Sequence, residues 1–404
     1  MTILSMLTLG IVAATIIGVA VGRWPLLRAD RTTITLIGAA LLLGIGAMSL
    51  EEAYAALDLD TIVLLFSMMV INGSLFLAGF FGVITQRVVQ FARGPRSLLA
   101  LVIGASGILS ALFLNDTIVL MMTPIVLDVT RALRRNPLPY LIGLAVAANV
   151  GSTATITGNP QNIIIGSASK ISYLDFAAAL SPTALIGLVI CWIVVLLVYR
   201  DEFRGGLLTT PDVLRTRVYR PLLRKAALVI SLMLIAFLVG VPVPLAAFVA
   251  ATTLLATRRL RPERVFKTID WNLLTFFAGL FVVTHALDVQ GWTDILFTNL
   301  APLAQAGMIP FGLVSVVLSN LISNVPAVLL LQSLIPAFAD QEQAWLTLAA
   351  TATLAGNLTL LGSVANLIMA ELAARWGVRV TFGAYLRVGL PVTILTVAVS
   401  LILV

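Results

Sequence analysis

Four clusters of small polar residues stand inside otherwise apolar sequence, and their chemistry is neutral hydrogen bonding and cation coordination. The first is Asn115-Asp116-Thr117. The second holds Asn149, Gly151, Ser152, Thr153, Thr155, Thr157, Gly158, Asn159 and Asn162. The third is Ser323-Asn324-Val325-Pro326, and the fourth holds Asn357, Thr359, Gly362, Ser363 and Asn366. Glycines and Pro160 interrupt helices there. An interrupted helix frees backbone carbonyls that can coordinate a cation, and presents helix N-termini that favour electron-rich groups. Asn, Ser and Thr side chains add further donors and acceptors. Small polar residues also hold membrane helices together without binding anything. For any one Ser or Thr that is the default; four clusters at related positions favour binding.

Asp116 is the sharpest single residue. A carboxylate in an apolar span is costly and usually functional, although an Asp there can also cap a helix through its backbone N–H groups. It is expected to exchange a proton or bind a cation. Val325 takes its place in the third cluster, so coupling would be asymmetric. Asp60 and Asp270 mark the starts of spans, and His285 reads as an interfacial polar residue. Cys191 reads as a small hydrophobe. A single cysteine and a single histidine exclude a disulfide framework and a Cys/His metal cluster. No cofactor is expected. No HExxH, Ser–His pair or paired intramembrane Asp arrangement is readable, which argues against an enzyme. The predicted core has no Lys or Arg, so a multiply charged anion would have to rely on helix termini, hydroxyls and co-bound cations.

These residues need a membrane scaffold. The 404 residues are 60% hydrophobic and 11% charged, with mean hydropathy +1.08, which describes an all-α polytopic membrane protein. The net charge of +7 sits in short loops and sets orientation, so nucleic acid is not the expected partner. The segment Met1–Val21 has no basic n-region and reads as a first helix. Apolar runs place spans at 3–22, 33–50 and 60–79, a short pair at 97–114 and 117–133, then 138–168 and 178–199. Further spans follow at 226–241, 244–257 and 271–287, a second pair at 302–319 and 325–338, then 345–374 and 386–404. Of 25 Lys and Arg residues, all but Lys170 fall on one face of the resulting topology. That face is cytoplasmic, and both termini are external. The amphipathic stretch Phe80 to Ala92 is expected to lie flat on the membrane surface.

Arg96 and Arg131 both read as cytoplasmic, yet only 34 residues (131 − 96 − 1) separate them, and two full spans need roughly 40. The segment 97–133 therefore reads as a re-entrant hairpin with its tip, Leu114 to Thr117, inside the membrane; two short spans with an external tip is the alternative. The segment 302–338 is flanked by acids only and reads as a hairpin entering from outside. Asp60-Thr-Ile-Val-Leu-Leu-Phe is echoed by Asp270-Trp-Asn-Leu-Leu-Thr-Phe, and Leu109 to Thr117 by Leu318 to Pro326. Asn149 with Gly158 to Asn162 is echoed by Asn357 with Gly362 to Asn366 after a four-residue deletion. The expected organisation is two inverted repeats, 1–199 and 226–404, joined by a cytoplasmic linker at 200–225. Each repeat has a hairpin and a broken helix, at 138–168 and 345–374. Inverted repeats with polar breaks in mid-membrane are the architecture of secondary transporters.

The run Asn115-Asp-Thr…Thr-Pro-Ile-Val126, then Asn149-Val-Gly-Ser…Gly-Asn-Pro-Gln-Asn162, then Ser323-Asn-Val-Pro326 resembles the ion transporter superfamily. It is most similar to the arsenite permease and sodium/proton antiporter branch, over nearly the whole chain. The resemblance implies a scaffold domain, often dimeric, and a transport domain that moves like an elevator. It places substrate and ions at Asn115, Asp116 and Thr117, and at Ser323, Asn324, Val325 and Pro326. The first broken helix would contribute Gly151, Ser152, Thr157, Gly158, Asn159 and Asn162, and the second Asn357, Gly362, Ser363 and Asn366. Asn149 and Thr153 join that set from the clusters. The first tip departs from the Ser-Asn-Thr form of the dicarboxylate branch, which argues against sodium-coupled dicarboxylate uptake. The resulting expectation is efflux of arsenite or antimonite across the cytoplasmic (inner) membrane in exchange for protons. Sodium/proton exchange and di- or tricarboxylate-type anion transport are the alternatives. Some arsenite permeases use a cytosolic ATPase subunit, for which the 200–225 segment is the expected docking surface.

Overall fold

The computed structural model describes residues 2–21, 23–24, 29–204, 218–256, 261–293, 295, 298, 302 and 306–404. The described chain is helical apart from a two-residue antiparallel pairing of Arg23–Trp24 with Ala29–Asp30. The helices are α1 (Ile3–Val21), α2 (Arg31–Gly44), α3 (Leu50–Ala55), α4 (Leu59–Ala78), α5 (Phe80–Phe91), α6 (Pro95–Leu112), α7 (Asn115–Ala132), α8 (Pro137–Ser152), α9 (Pro160–Ser169) and α10 (Tyr173–Val198). There follow α11 (Arg220–Leu238), α12 (Val243–Leu255), α13 (Pro262–Phe266), α14 (Trp271–Val289), α15 (Met308–Ile322), α16 (Asn324–Leu331), α17 (Gln341–Ala355), α18 (Val364–Arg375) and α19 (Phe382–Leu403). Seven of them are long and apolar enough to cross a membrane: α1, α4, α6, α10, α11, α14 and α19. Large apolar side chains such as Ile3, Leu185, Leu228 and Ile402 are exposed along them. In water that pattern would be an aggregation hazard; in a bilayer it is the lipid-facing surface.

Local sequence fixes most helix ends. Asp58 caps α4, accepting from the Thr61 N–H at 3.1 Å and the Thr61 hydroxyl at 2.5 Å. Gly79, at φ +80°, ends α4 in the left-handed conformation and turns the chain into α5. Helix α5 buries one stripe, Phe81, Thr85, Val88 and Val89, against α4, α6 and α7. The cap of α4 is Asp58 rather than Asp60, which lies exposed in the first turn.

Both helical pairs turn back sharply. Only Phe113 and Leu114 separate α6 from α7, and only Ser323, at φ +80°, separates α15 from α16. A short 3-10 helix, Gln332–Ala337, prolongs α16. The expected pair at 302–338 is described from Met308 as a helix, and 303–305 lie outside the described residues. The broken helices are equally clear. α8 stops at Ser152 and a 3-10 turn, Ile156–Gly158, leads to α9; Pro160 occupies the first helical position of α9. α17 stops at Ala355 and the chain resumes as α18 at Val364.

Some boundaries differ from the sequence expectation. The span expected to begin at 178 begins at Tyr173, because the Ser172 hydroxyl accepts from the Asp175 N–H at 3.1 Å and starts the helix early. The expected linker 200–225 ends sooner than that, since α11 starts at Arg220 with Pro221 in its first turn. Half of the expected partner-docking segment, 205–217, lies outside the described residues. Arg28, Arg258, Arg259 and Asp294, used to orient the chain, also lie outside them.

The interior is built by exchange between early and late segments. α6 and α7 pack on α8, and α15 packs on α17. α18 packs on both α7 and α8, and α17 packs on α9. Outside this unit α2 packs on α14, α4 on α12, and α10 on α19.

Candidate functional site

The buried polar residues of the described chain are all Ser, Thr, Asn or Gln. One group of them, the asparagines with their Ser and Thr partners, converges where the first turn of α7 meets both helix breaks. Asn115 opens α7 and donates its amide to the Asn149 side-chain oxygen at 2.9 Å. Asn149 in turn donates to the side-chain oxygens of Asn357 at 2.9 Å and Asn366 at 3.2 Å. Ser363 donates to the Asn149 oxygen at 3.1 Å. A fully buried amide in an apolar bundle is costly unless paired. Asn149 therefore acts as the junction of the first tip, the first broken helix and the second.

Each break is closed from within by its own asparagine. Asn162 donates to the freed carbonyls of Ser152 at 3.1 Å and Thr155 at 3.0 Å. Asn366 does the same for Gly356 at 2.9 Å and Thr359 at 3.2 Å. The three residues of each set are related by one offset: 356 − 152, 359 − 155 and 366 − 162 all equal 204. Gly158 lies so close to the Ser152 carbonyl that a Cβ would collide with it, and a Cβ on Gly362 would stand 3.0 Å from the Gly356 carbonyl. By this offset the residue matching Asn149 is Thr353, not Asn357 as the sequence alignment with a four-residue deletion expects. Thr353 donates to the Asn162 oxygen at 3.2 Å, and accepts from Asn159 and Gln161 at 3.2 and 3.3 Å.

Several expected site residues serve packing. Gly151 lets α8 approach α6, since a Cβ there would collide with the Gly107 backbone. Thr153 turns its hydroxyl back to the Asn149 carbonyl at 3.3 Å, and Ser152 does so at 2.8 Å. Thr157 stands 3.4 Å from the Tyr173 hydroxyl. Val325 and Pro326 are buried apolar positions of α16 and contribute wall rather than ligands. Ser323, Asn324 and Gly362 are half-buried, and Thr117 is half-buried beside Asp116.

Sequence reasoning missed Thr353, Gln161, Asn320 and Tyr385. Asn320 donates to the Val316 and Ala355 carbonyls at 3.0 and 3.1 Å. Fully buried Tyr385 places its ring against Gly389 and its hydroxyl beside Asn366. Thr353 lies four residues outside the fourth cluster, in a run of Ala and Thr with no break to mark it. Asn320 stands inside the matched segment Leu318-Ser-Asn and could have been taken from it.

Asp116 is half-buried rather than sealed. It sits in the first turn of α7 and lies near the Ala365 N–H in the first turn of α18. Two helix N-termini thus face one carboxylate, an arrangement that favours negative charge. Asp270 and Arg31 stand close enough to act on that charge. The second break is the more open one. Residues 358–362 are half-buried or exposed, with Leu361 65% exposed, whereas 149–165 are buried throughout. His285 is half-exposed, 3.5 Å from Asp288, and Cys191 is buried among apolar side chains.

A family model described as a citrate transporter, CitMHS, matches residues 11–355. The chain belongs to the CitMHS family. It is therefore a multi-pass membrane transporter. The silicon efflux transporter LSI3 of Oryza sativa subsp. japonica is 29% identical, over 93% of each chain. A 46 kDa membrane protein of Mycobacterium leprae is 30% identical, over 92% of this chain and 93% of that one. A Dictyostelium discoideum protein bearing the name transporter arsB is 24% identical, over 92% of this chain and 86% of its own. The crystal structure of the Alcanivorax borkumensis YdaH transporter, reported as having an unusual topology, matches with TM-score 0.60 at 15% identity. It covers 99% of this chain and 97% of that one. At that identity the likeness shows the fold alone.

Proposed function

We propose that this CitMHS-family protein exports a small, uncharged polyhydroxy oxyacid of the arsenous, antimonous or silicic kind in exchange for protons. The observation that carries this reading is the composition of the buried site. Its polar groups are amides, hydroxyls and backbone carbonyls, with one half-buried carboxylate, Asp116. A solute with several O–H groups and no charge is matched by such donors and acceptors. Citrate would bring multiple negative charges into a site built of amides and hydroxyls, where Arg31 already acts on Asp116, at a desolvation cost that further paired cations would have to offset. The silicon efflux transporter among the relatives, and the arsB name of another, fit the same solute chemistry.

In this account the two tips and two breaks form one site in a mobile unit containing α6–α9 and α15–α18, and α1, α2, α4, α11, α12 and α14 form the scaffold. The equal offsets across the breaks support two repeats, and the opposite loop charges of the sequence support their inversion. The half-open second break and the electrostatic influence of Arg31 and Asp270 on Asp116 support a conformation open toward the basic, cytoplasmic face. Asp116 carries the proton: charged, it is drawn to the N-terminus of α18 around Ala365; protonated, that attraction weakens and the unit moves.

A second reading, transport of a carboxylate together with cations, is favoured by the family description. Competition separates them. Everted vesicles carrying the protein should accumulate arsenite, and unlabelled germanic or silicic acid should compete while citrate does not. Citrate accumulation, with arsenite inert, would establish the second reading instead.

A further inference from the structure

On the basic face, away from the polar site, α5 and the start of α11 enclose a groove of about 610 Å³. One stripe of α5, Val83, Gln86, Arg87 and Gln90, forms one wall, and Val218, Arg220 and Leu223 form the other. The spacing of 83, 86/87 and 90 puts the α5 residues on one helical face. Tyr219 fixes the second wall by donating its N–H to the Ala78 carbonyl at the end of α4, at 3.0 Å. Arg87 and Arg220 are exposed, and among the described residues neither has an acidic partner.

We infer that this groove holds the phosphate of an anionic phospholipid headgroup. Two guanidinium groups facing one cavity suit a phosphate, which arginine binds through paired N–H donors, and Gln90 adds a neutral donor. The rest of the lining points to an amphiphile rather than a bare anion. Val83, Val218 and Leu223 give the groove an apolar floor. Farther along α11, Leu228, Leu232 and Ile235 are exposed, so the helix that carries the groove's second wall also meets lipid. The groove also sits at the level of an interfacial helix. Gly79 turns α5 sharply out of the direction of α4, and α5 buries only its Phe81 side. Basic pockets of this kind on the cytoplasmic side of membrane proteins recognise anionic headgroups.

The position gives the contact a consequence. α5 connects α4 to the α6–α7 pair, while α11 packs on α4. A headgroup bridging Arg87 and Arg220 ties the connector of the tip to the helix beside its anchor. The inference does not depend on the identity of the transported solute.

The test is lipid titration of the purified full-length protein in neutral detergent, read by native mass spectrometry. Phosphatidylglycerol should bind, and phosphatidylcholine should not compete. The double variant Arg87→Gln/Arg220→Gln should bind phosphatidylglycerol about thirtyfold more weakly, from the energy typical of two interfacial arginines. Arg264→Gln, an exposed arginine elsewhere on the same face, should change nothing. Arg87→Lys/Arg220→Lys keeps the charge and should recover most of the binding, which separates headgroup recognition from damage to the fold. Equal binding by the double Gln variant overturns the inference. So does equal occupancy by free glycerol phosphate, which would mean a soluble anion rather than a lipid.

Discussion

The side-chain amide of Asn149, in α8, donates to the side-chain oxygen of Asn366, in α18, at 3.2 Å. Its counterpart is Thr353, in α17, donating to the oxygen of Asn162, in α9, also at 3.2 Å. Since 353 − 149 and 366 − 162 both equal 204, the second contact is the first with the partners exchanged. Each helix break is thus held by its own asparagine and checked by a residue from the helix before the other break. Neither can rearrange without loosening a bond to its counterpart.

That coupling predicts a specific mutational pattern. Asn149→Ala removes a junction used by Asn115, Asn357, Asn366 and Ser363. It should destabilise the protein by about 1–3 kcal/mol for each buried group left unpaired. An Asn149→Ala/Asn366→Ala cycle should give a coupling energy of about 0.5–1.5 kcal/mol in unfolding measurements, the range seen for polar pairs between membrane helices. Strictly additive losses would contradict the junction role.

Thr353→Val keeps the shape of the side chain and removes one hydroxyl. It should loosen the first break and lower transport several-fold, because Asn159, Asn162 and Gln161 each lose a partner. Thr351→Val, two residues away, should leave transport within about twofold, since among the described residues Thr351 bonds only to the Thr347 carbonyl of its own helix. Equal effects in initial-rate assays would remove the special role given to Thr353.

Glycines separate in the same way. Gly151→Ala drives a methyl into the Gly107 backbone, and Gly158→Ala into the Ser152 carbonyl. Backbone cannot swing aside as a side chain can, so both variants should lower the yield of folded protein and its thermal midpoint, by a cost of about 1–3 kcal/mol or more. Gly10→Ala, with no neighbour within 4 Å of the new methyl, should match the parent protein in size-exclusion and melting measurements.

Much of this is legible in the sequence. The short pairs around Asn115 and Ser323, the broken helices at Gly158 and Gly362, and the amphipathic stretch at Phe80 are marked by spacing, loop charge and helix breakers. Most helices fall within a few residues of those expectations, while α2 ends at Gly44 rather than 50 and α11 starts at Arg220 rather than 226. The short helices α3 and α13 are not among those expectations. What escapes are contacts made at a distance. Thr353 looks like any other residue of an Ala/Thr-rich helix until the fold brings Asn162 beside it. Tyr385 looks like part of an ordinary final span until the fold turns its hydroxyl toward Asn366. The alignment of Asn149 with Asn357 fails for the opposite reason: identical residue types attract the match, while the hydrogen-bond geometry places Thr353 in the equivalent position. Asp116 is conspicuous by its charge in an apolar span, but its half-exposure and its contact with Ala365 depend on how α18 docks against α7.

The most direct test of the central claim is arsenite accumulation in everted vesicles under an imposed acid-inside gradient, comparing the native protein with Asp116→Asn. The account predicts gradient-driven accumulation by the native protein and its loss in the variant. The variant should still exchange arsenite across the membrane when no gradient is present, because the substituted amide leaves the site's neutral donors in place. Undiminished gradient-driven accumulation by Asp116→Asn would contradict the account.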